Sequence, residues 1–240
     1  MNHSIENKLK ELGANFVHFV DITSLSNKEN KNYPNAVLFG IKLSSDYLQN
    51  VMNTPNYVQE KVRQNSDFSD DELYLTELKT DELADSISQW LINSGYNAYS
   101  HSDKNQIETG FFDGKYLKTP LPHKTIASMA GVGWIGKNNL LITTMFGSAL
   151  CLGVILTDAP LEIISNNSIP SKCNNCNICV KMCEPQALKG HTWSVTAQRE
   201  DMLDVYKCTT CMNCLVFCPW TQDYIKKQLS LGLTEVLETD

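Results

Sequence analysis

Nine cysteines stand in 240 residues, and eight of them fall between Cys173 and Cys218. The first group reads CNNCNICVKMC and spaces Cys173, Cys176, Cys179 and Cys183 as C-x2-C-x2-C-x3-C. The second, CTTCMNCLVFCP, repeats that spacing at Cys208, Cys211, Cys214 and Cys218, with Pro219 next. A disulfide framework is the first chemistry to weigh. Cysteines separated by two residues are badly placed to pair with each other, and a reducing compartment keeps thiols free. Zinc is the second, but zinc ribbons use two C-x2-C pairs at longer separation. Three close thiolates followed by a fourth instead suit a [4Fe-4S] cube. The triplet wraps three corners, and the remote cysteine with its proline reaches the cube of the other motif. Crossed ligation predicts one cluster on Cys173, Cys176, Cys179 and Cys218, and a second on Cys208, Cys211, Cys214 and Cys183. Ligation within each motif is the alternative. Cys151, in the apolar run SALCLGVIL, reads as a small buried hydrophobe.

A second stretch with chemical promise is AGVGWIGKNN, Ala130 to Asn139. Gly131, Gly133 and Gly136 spell a dinucleotide fingerprint, while Gly131, Gly136 and Lys137 spell a triphosphate loop. Both need a helix after the glycines, because a helix N-terminus must face the phosphates. Here HKTIASMA before them has helical character and LLITT after them is extended. Asn138 also stands where a magnesium-binding hydroxyl belongs. Two readings stay open. The glycines let backbone approach a ligand closely, with Lys137 poised for an anionic group, or they form a tight helix-to-strand turn with an exposed lysine.

The elements that must position these residues can be read from periodicity. IENKLKEL is an amphipathic helix ending at Gly13; FVHFVDI and NAVLFGIKL are strands. His18, in the first strand, reads as a packed core histidine rather than a ligand. A long helix is expected to start at a capping box, Ser69 with Glu72. It carries Leu83, Ile87, Trp90 and Leu91 as core and stops at Gly95. The uncharged run from Asn138 to Thr157 is nearly long enough to span a bilayer, but Thr143, Thr144, Gly147 and Ser148 interrupt it. It reads as two buried strands joined by a turn at FGS, not as a membrane span. The polar stretch SNNSIPSK, Ser165 to Lys172, marks a domain boundary.

Composition bounds the partners. With 42% apolar and 20% charged residues the chain can bury a core. A net charge of -7 leaves no general basic surface for a phosphate backbone. MNHSIENKLKELG has no apolar segment of the secretory kind, which points to the cytoplasm.

HKTIASMAGVGWIGKNNLLIT, GSALCLGVILTDAPLE and the double cysteine motif ending in CPW resemble the epoxyqueuosine reductase family, cobalamin-dependent iron-sulfur enzymes distantly similar to reductive dehalogenases. The resemblance covers roughly Pro120 to Gln222. It implies an α+β chain: a flavin-reductase/nitroreductase-like α/β cofactor domain at 1–166, followed by a ferredoxin-like domain with two [4Fe-4S] clusters at 167–240. It further implies that Gly131, Gly133, Trp134, Gly136, Lys137 and Asn138, with Gly147 and Ser148, border a corrinoid. Flavin is the alternative cofactor. A low-potential donor such as ferredoxin or flavodoxin would supply electrons.

Family members that reduce the queuosine precursor carry a proton-donating aspartate in a D-[ST]-x-P pattern just before the glycine loop. Here that stretch reads Leu117, Lys118, Thr119, Pro120. Asp113 lies nearby as a substitute, and His123, ahead of the loop's helix, is a candidate proton donor because imidazole titrates near neutrality. His101 and His191 have no assignable context. The family's second cysteine group is spread around an insertion and runs on into a helical repeat that helps hold transfer RNA. This chain has compact spacing and ends at Asp240, which argues against a transfer RNA substrate. The expected activity is reduction of a small substrate. The alternative is an electron-transfer module serving a partner's corrinoid or flavin.

Overall fold

The computed structural model describes residues 1–64, 68–164 and 167–237, with side chains described as far as residue 230. Contacts divide the chain into two compact units. The first comprises Met1–Lys42, Leu73–Val132 and Cys151–Ile169; the second comprises Leu43–Glu72, Gly133–Leu150 and Pro170–Asp240. The expected limit at 166/167 abuts residues 165 and 166, which lie outside the described residues.

Among the described residues six strands form: β1 (Phe16–Asp21), β2 (Asn35–Lys42), β3 (Ala98–Ser100), β4 (Trp134–Ile135), β5 (Leu141–Ile142) and β6 (Leu150–Thr157). Four make an open sheet in the order β1-β2-β6-β3. β1 and β2 are antiparallel from Phe16 opposite Gly40 to Asp21 opposite Asn35, and β3 runs antiparallel to β6. β2 is buried at six successive positions, Ala36 to Ile41, which explains its unbroken apolar sequence. Helix Asn2–Glu11 brings Ile5 and Leu9 to the core. Helix Glu72–Asn93 brings Leu83, Ile87 and Leu91, and these join Val37, Phe39 and Ile155 in one cluster with Trp90 packed against it. Gly153 presents no Cβ to β2, and the Phe39 ring fills that space.

Three local expectations shift. The long helix starts at Glu72 itself rather than directly after a Ser69 cap. The Glu72 carboxylate accepts the Ser44 hydroxyl at 2.6 Å, a partner 28 residues away in the sequence. His18 is half-buried beside Phe16, and burial lowers its pKa. The apolar run does split into two strands, but β5 pairs with β4, while β6 enters the large sheet. Among the described residues no helix is long and apolar enough to cross a membrane.

The second unit repeats itself. Helices Ile178–Lys181 and Asn213–Val216 each begin one residue before the third cysteine of a motif and end two before its fourth. They contact one another, and Asn213–Val216 contacts helices Ser45–Asn53 and Pro219–Leu237. Residues 43–72 are fastened by Asp71, which accepts the Tyr47 and Tyr57 hydroxyls, each at 2.9 Å.

Candidate metal centre

The fourth cysteine of the second motif leaves its own triplet. Cys218 lines a cavity of about 110 Å³ together with Cys173, Cys176 and Cys179; Lys137, Lys172 and Trp220 complete much of the wall. The first triplet is shaped by a tight turn in which Cys176 N–H donates to the Cys173 carbonyl at 2.8 Å. Cys218 directly precedes helix Pro219–Leu237, where its sulfur accepts the backbone N–H groups of Trp220 and Thr221 and the Ser148 hydroxyl. Burial outweighs these donors and keeps the Cys218 thiol above its ordinary range.

Electrostatic neighbours link the remaining sulfurs. Burial, then the like charges of Cys218, Cys173 and Cys176, pushes the Cys179 thiol up to about 11. Burial, then Cys211, Cys208, Cys179 and Cys183, pushes Cys214 up to about 12. Cys214 thus has Cys183, as well as Cys179, among its charged neighbours. The Cys183 sulfur accepts Ala187 N–H at 3.2 Å, and Cys214 packs against the apolar cluster Cys183 forms with Ala187 and Leu188. None of the nine cysteines forms a disulfide.

This donor set fits a cube. Crowded, desolvated thiols resist ionisation until a cation offsets the charge, which the irons of a cluster would do. Among the described residues no three His, Cys, Asp or Glu side chains converge on one metal-ion position. A [4Fe-4S] group asks for something else, four thiolates around a void, each on its own iron.

The glycine loop serves these sulfurs. Lys137 is not the exposed lysine of the turn reading: it is 8% exposed, and its ammonium donates to the Asn174 carbonyl and to Asn177 Oδ1, each at 2.9 Å. Asn138 Nδ2 donates to Ser148 Oγ at 3.0 Å and to the Cys214 carbonyl at 3.2 Å. A Cβ on Gly133 would strike the Ile142 carbonyl, and one on Gly136 would meet the Ile142 side chain. Gly147, at φ +57°, lies against the Thr221 backbone with no room for a side chain. Buried Trp134 meets Trp220 edge to face at 4.9 Å, and Lys172 Nζ stands 5.3 Å from the Trp134 ring. These residues hold the cysteine loops through their own hydrogen bonds and contacts. Asn177, next to Cys176, carried no sequence signal, Lys172 entered only as the end of the boundary stretch, and Trp220 was visible only as part of CPW.

Gly131, Asp113 and His123 belong to the first unit. Gly131, at φ +64°, follows helix His123–Met129. His123 Nε2 lies 3.0 Å from Nδ1 of His101, a buried residue with no sequence signal. Burial lowers the pKa of both, and that of His101 well below the ordinary value. Asp113 is exposed and its Oδ1 accepts N–H groups of Lys115 and Tyr116 at 3.0 and 3.1 Å. Leu117, where the family's aspartate is expected, is 42% exposed at φ +50°.

No protein-family model matches the chain. An epoxyqueuosine reductase of Listeria monocytogenes is 32% identical over 138 residues, a match that takes in 50% of this chain and 33% of the relative. The fold resembles a solved epoxyqueuosine reductase bound to an epoxyqueuosine-modified tRNA-Tyr stem loop (TM-score 0.53, 14% identity, 92% of this chain and 65% of that one). It also resembles a reductive dehalogenase described with B12-dependent dehalogenation (TM-score 0.64, 18% identity, 91% of this chain and 31% of that one). Over half its length the chain is therefore similar to epoxyqueuosine reductases, and its fold is shared with them and with reductive dehalogenases.

Proposed function

We propose that this chain is an iron-sulfur oxidoreductase of the epoxyqueuosine reductase-like class. In this reading Cys173, Cys176, Cys179 and Cys218 hold one [4Fe-4S] cluster, and Cys208, Cys211, Cys214 and Cys183 hold the other. The chain relays electrons through them to a corrinoid and reduces a small substrate. The sheet-bearing unit plays the part of a flavin-reductase-like cofactor domain, and the cysteine unit that of a ferredoxin-like domain. One observation carries the reading: Cys218 shares a cavity with the first triplet, while Cys183 is an electrostatic neighbour of Cys214 in the second. A corrinoid, when bound, supplies reductive chemistry that side chains lack. Its assignment draws on the similarity to epoxyqueuosine reductases and the fold shared with the dehalogenase. The chain's own residues shield the sulfurs, orient the cysteine loops and hold Lys137 beside them.

Anaerobic purification tests this. About eight irons per chain, as two cubes require, with extractable corrinoid supports it; stoichiometric zinc sinks it. Turnover is then assayed with small organic substrates and with an epoxyqueuosine-bearing tRNA-Tyr stem loop, the ligand of one structural relative. The second reading, an electron-transfer module, is favoured by Leu117 at the aspartate position. Loaded chain that carries no corrinoid but reduces a partner's corrinoid or flavin would establish it.

A further inference from the structure

We propose that Lys137 is a buried counter-charge that raises the reduction potential of the cluster on Cys173, Cys176, Cys179 and Cys218. The inference rests on the cluster reading above. Lys137 is 8% exposed and forms part of the wall of the cavity those four cysteines line. Its hydrogen-bond partners, the Asn174 carbonyl and Asn177 Oδ1, are neutral. Among the described residues no carboxylate lies within ion-pair distance of it.

A buried ammonium satisfied only by neutral acceptors carries a large desolvation cost unless an anion faces it. A cube on four thiolates is such an anion, and accepting one electron makes it more negative. A fixed positive charge in a poorly solvated wall therefore favours the reduced state. Lys172 shares the wall but is exposed, its ammonium 5.9 Å from the Trp220 ring, so water and salt screen it. The two lysines must then act unequally. Lys137 also ties down the loop between Cys173 and Cys179, so charge has to be separated from support.

Full-length protein reconstituted anaerobically, wild type and the variants K137Q, K172Q and N177A, is titrated potentiometrically with EPR detection, and iron is counted per chain. K137Q is expected to keep its iron and to shift one of two midpoints to more negative potential, leaving the other in place. K172Q moves the same midpoint by less. N177A, which keeps the charge and removes one loop contact, titrates as wild type. K137Q with full iron and two unmoved midpoints overturns the proposal, as does N177A shifting as far as K137Q, or K137Q losing one cluster's iron. Wild-type protein that binds no iron fails differently: it removes the cluster reading itself, because no midpoint is then seen.

Discussion

Cys218 closes the second motif in the sequence yet lines a cavity with the first triplet, and Cys183, which closes the first, has both Cys179 of its own motif and Cys214 of the other packed beside it. That exchange can be tested by pairing substitutions. If ligation is crossed, the double variant C173S/C218S damages a single cluster and retains about four irons; if each motif holds its own cube, both are damaged and iron falls toward zero. Iron analysis with EPR decides between them. Gly147 is a second sharp case, because its positive φ and its contact with the Thr221 backbone exclude a side chain. Gly147→Ala should cost about 2 kcal/mol or more in stability by denaturant titration, from left-handed strain and from displacement of the helix that follows Cys218. The cysteine spacing was legible because it is a local, repeated pattern of the kind a cube would require. The service of Lys137 to Asn174 and Asn177 was not, since those contacts join residues 37 and 40 apart.

Among elements, helix Glu72–Asn93 shows both what periodicity reveals and what it hides. Leu83, Ile87 and Leu91 recur at helical spacing and all are buried. Ile87→Ala is expected to cost about 2–5 kcal/mol by the same titration. The start of the helix was not legible, because Glu72 is engaged by Ser44, and no pattern around Ser69 records that partner. On the same helix Asp81 accepts Asp103 N–H at 3.0 Å, yet burial first, with the charges of Asp103 and Asp85 adding to it, raises its pKa from 3.8 to about 6. A native carboxyl with a raised pKa favours folding below pH 4 and loses that contribution as pH rises through about 6. Asp81→Asn should therefore raise the melting temperature at pH 7.5 by about 2–4 °C and leave it unchanged near pH 4. An equal gain at both pH values would sink this assignment. Four strands were read correctly as strands, while short β3 and β4 were missed; pairing was hidden too, since β5 pairs with the two-residue β4 rather than with β6.

At the level of the whole molecule, the two units are held by different means. The first has a continuous apolar core from Ile5 to Ile155. The second buries cysteines whose thiols are destabilised as anions, so cluster binding should contribute much of its folding free energy. Removing iron with a chelator is expected to lower a transition assigned to the second unit and to open 170–240 to protease first, read by mass spectrometry of the fragments. Cleavage beginning in the four-stranded sheet would contradict this. The net charge of -7 bears on partners, not on this order of melting. The two-unit organisation was only partly legible, because composition marks where the cysteine repeats begin but not which earlier segments join them.

Those earlier segments matter to anyone moving the redox portion elsewhere. A cassette cut at residue 167 would carry all eight repeat cysteines yet omit Lys137, Asn138 and Ser148, whose donors reach Asn174, Cys214 and Cys218. Grafting this cysteine unit onto another protein therefore means transplanting the glycine loop with it.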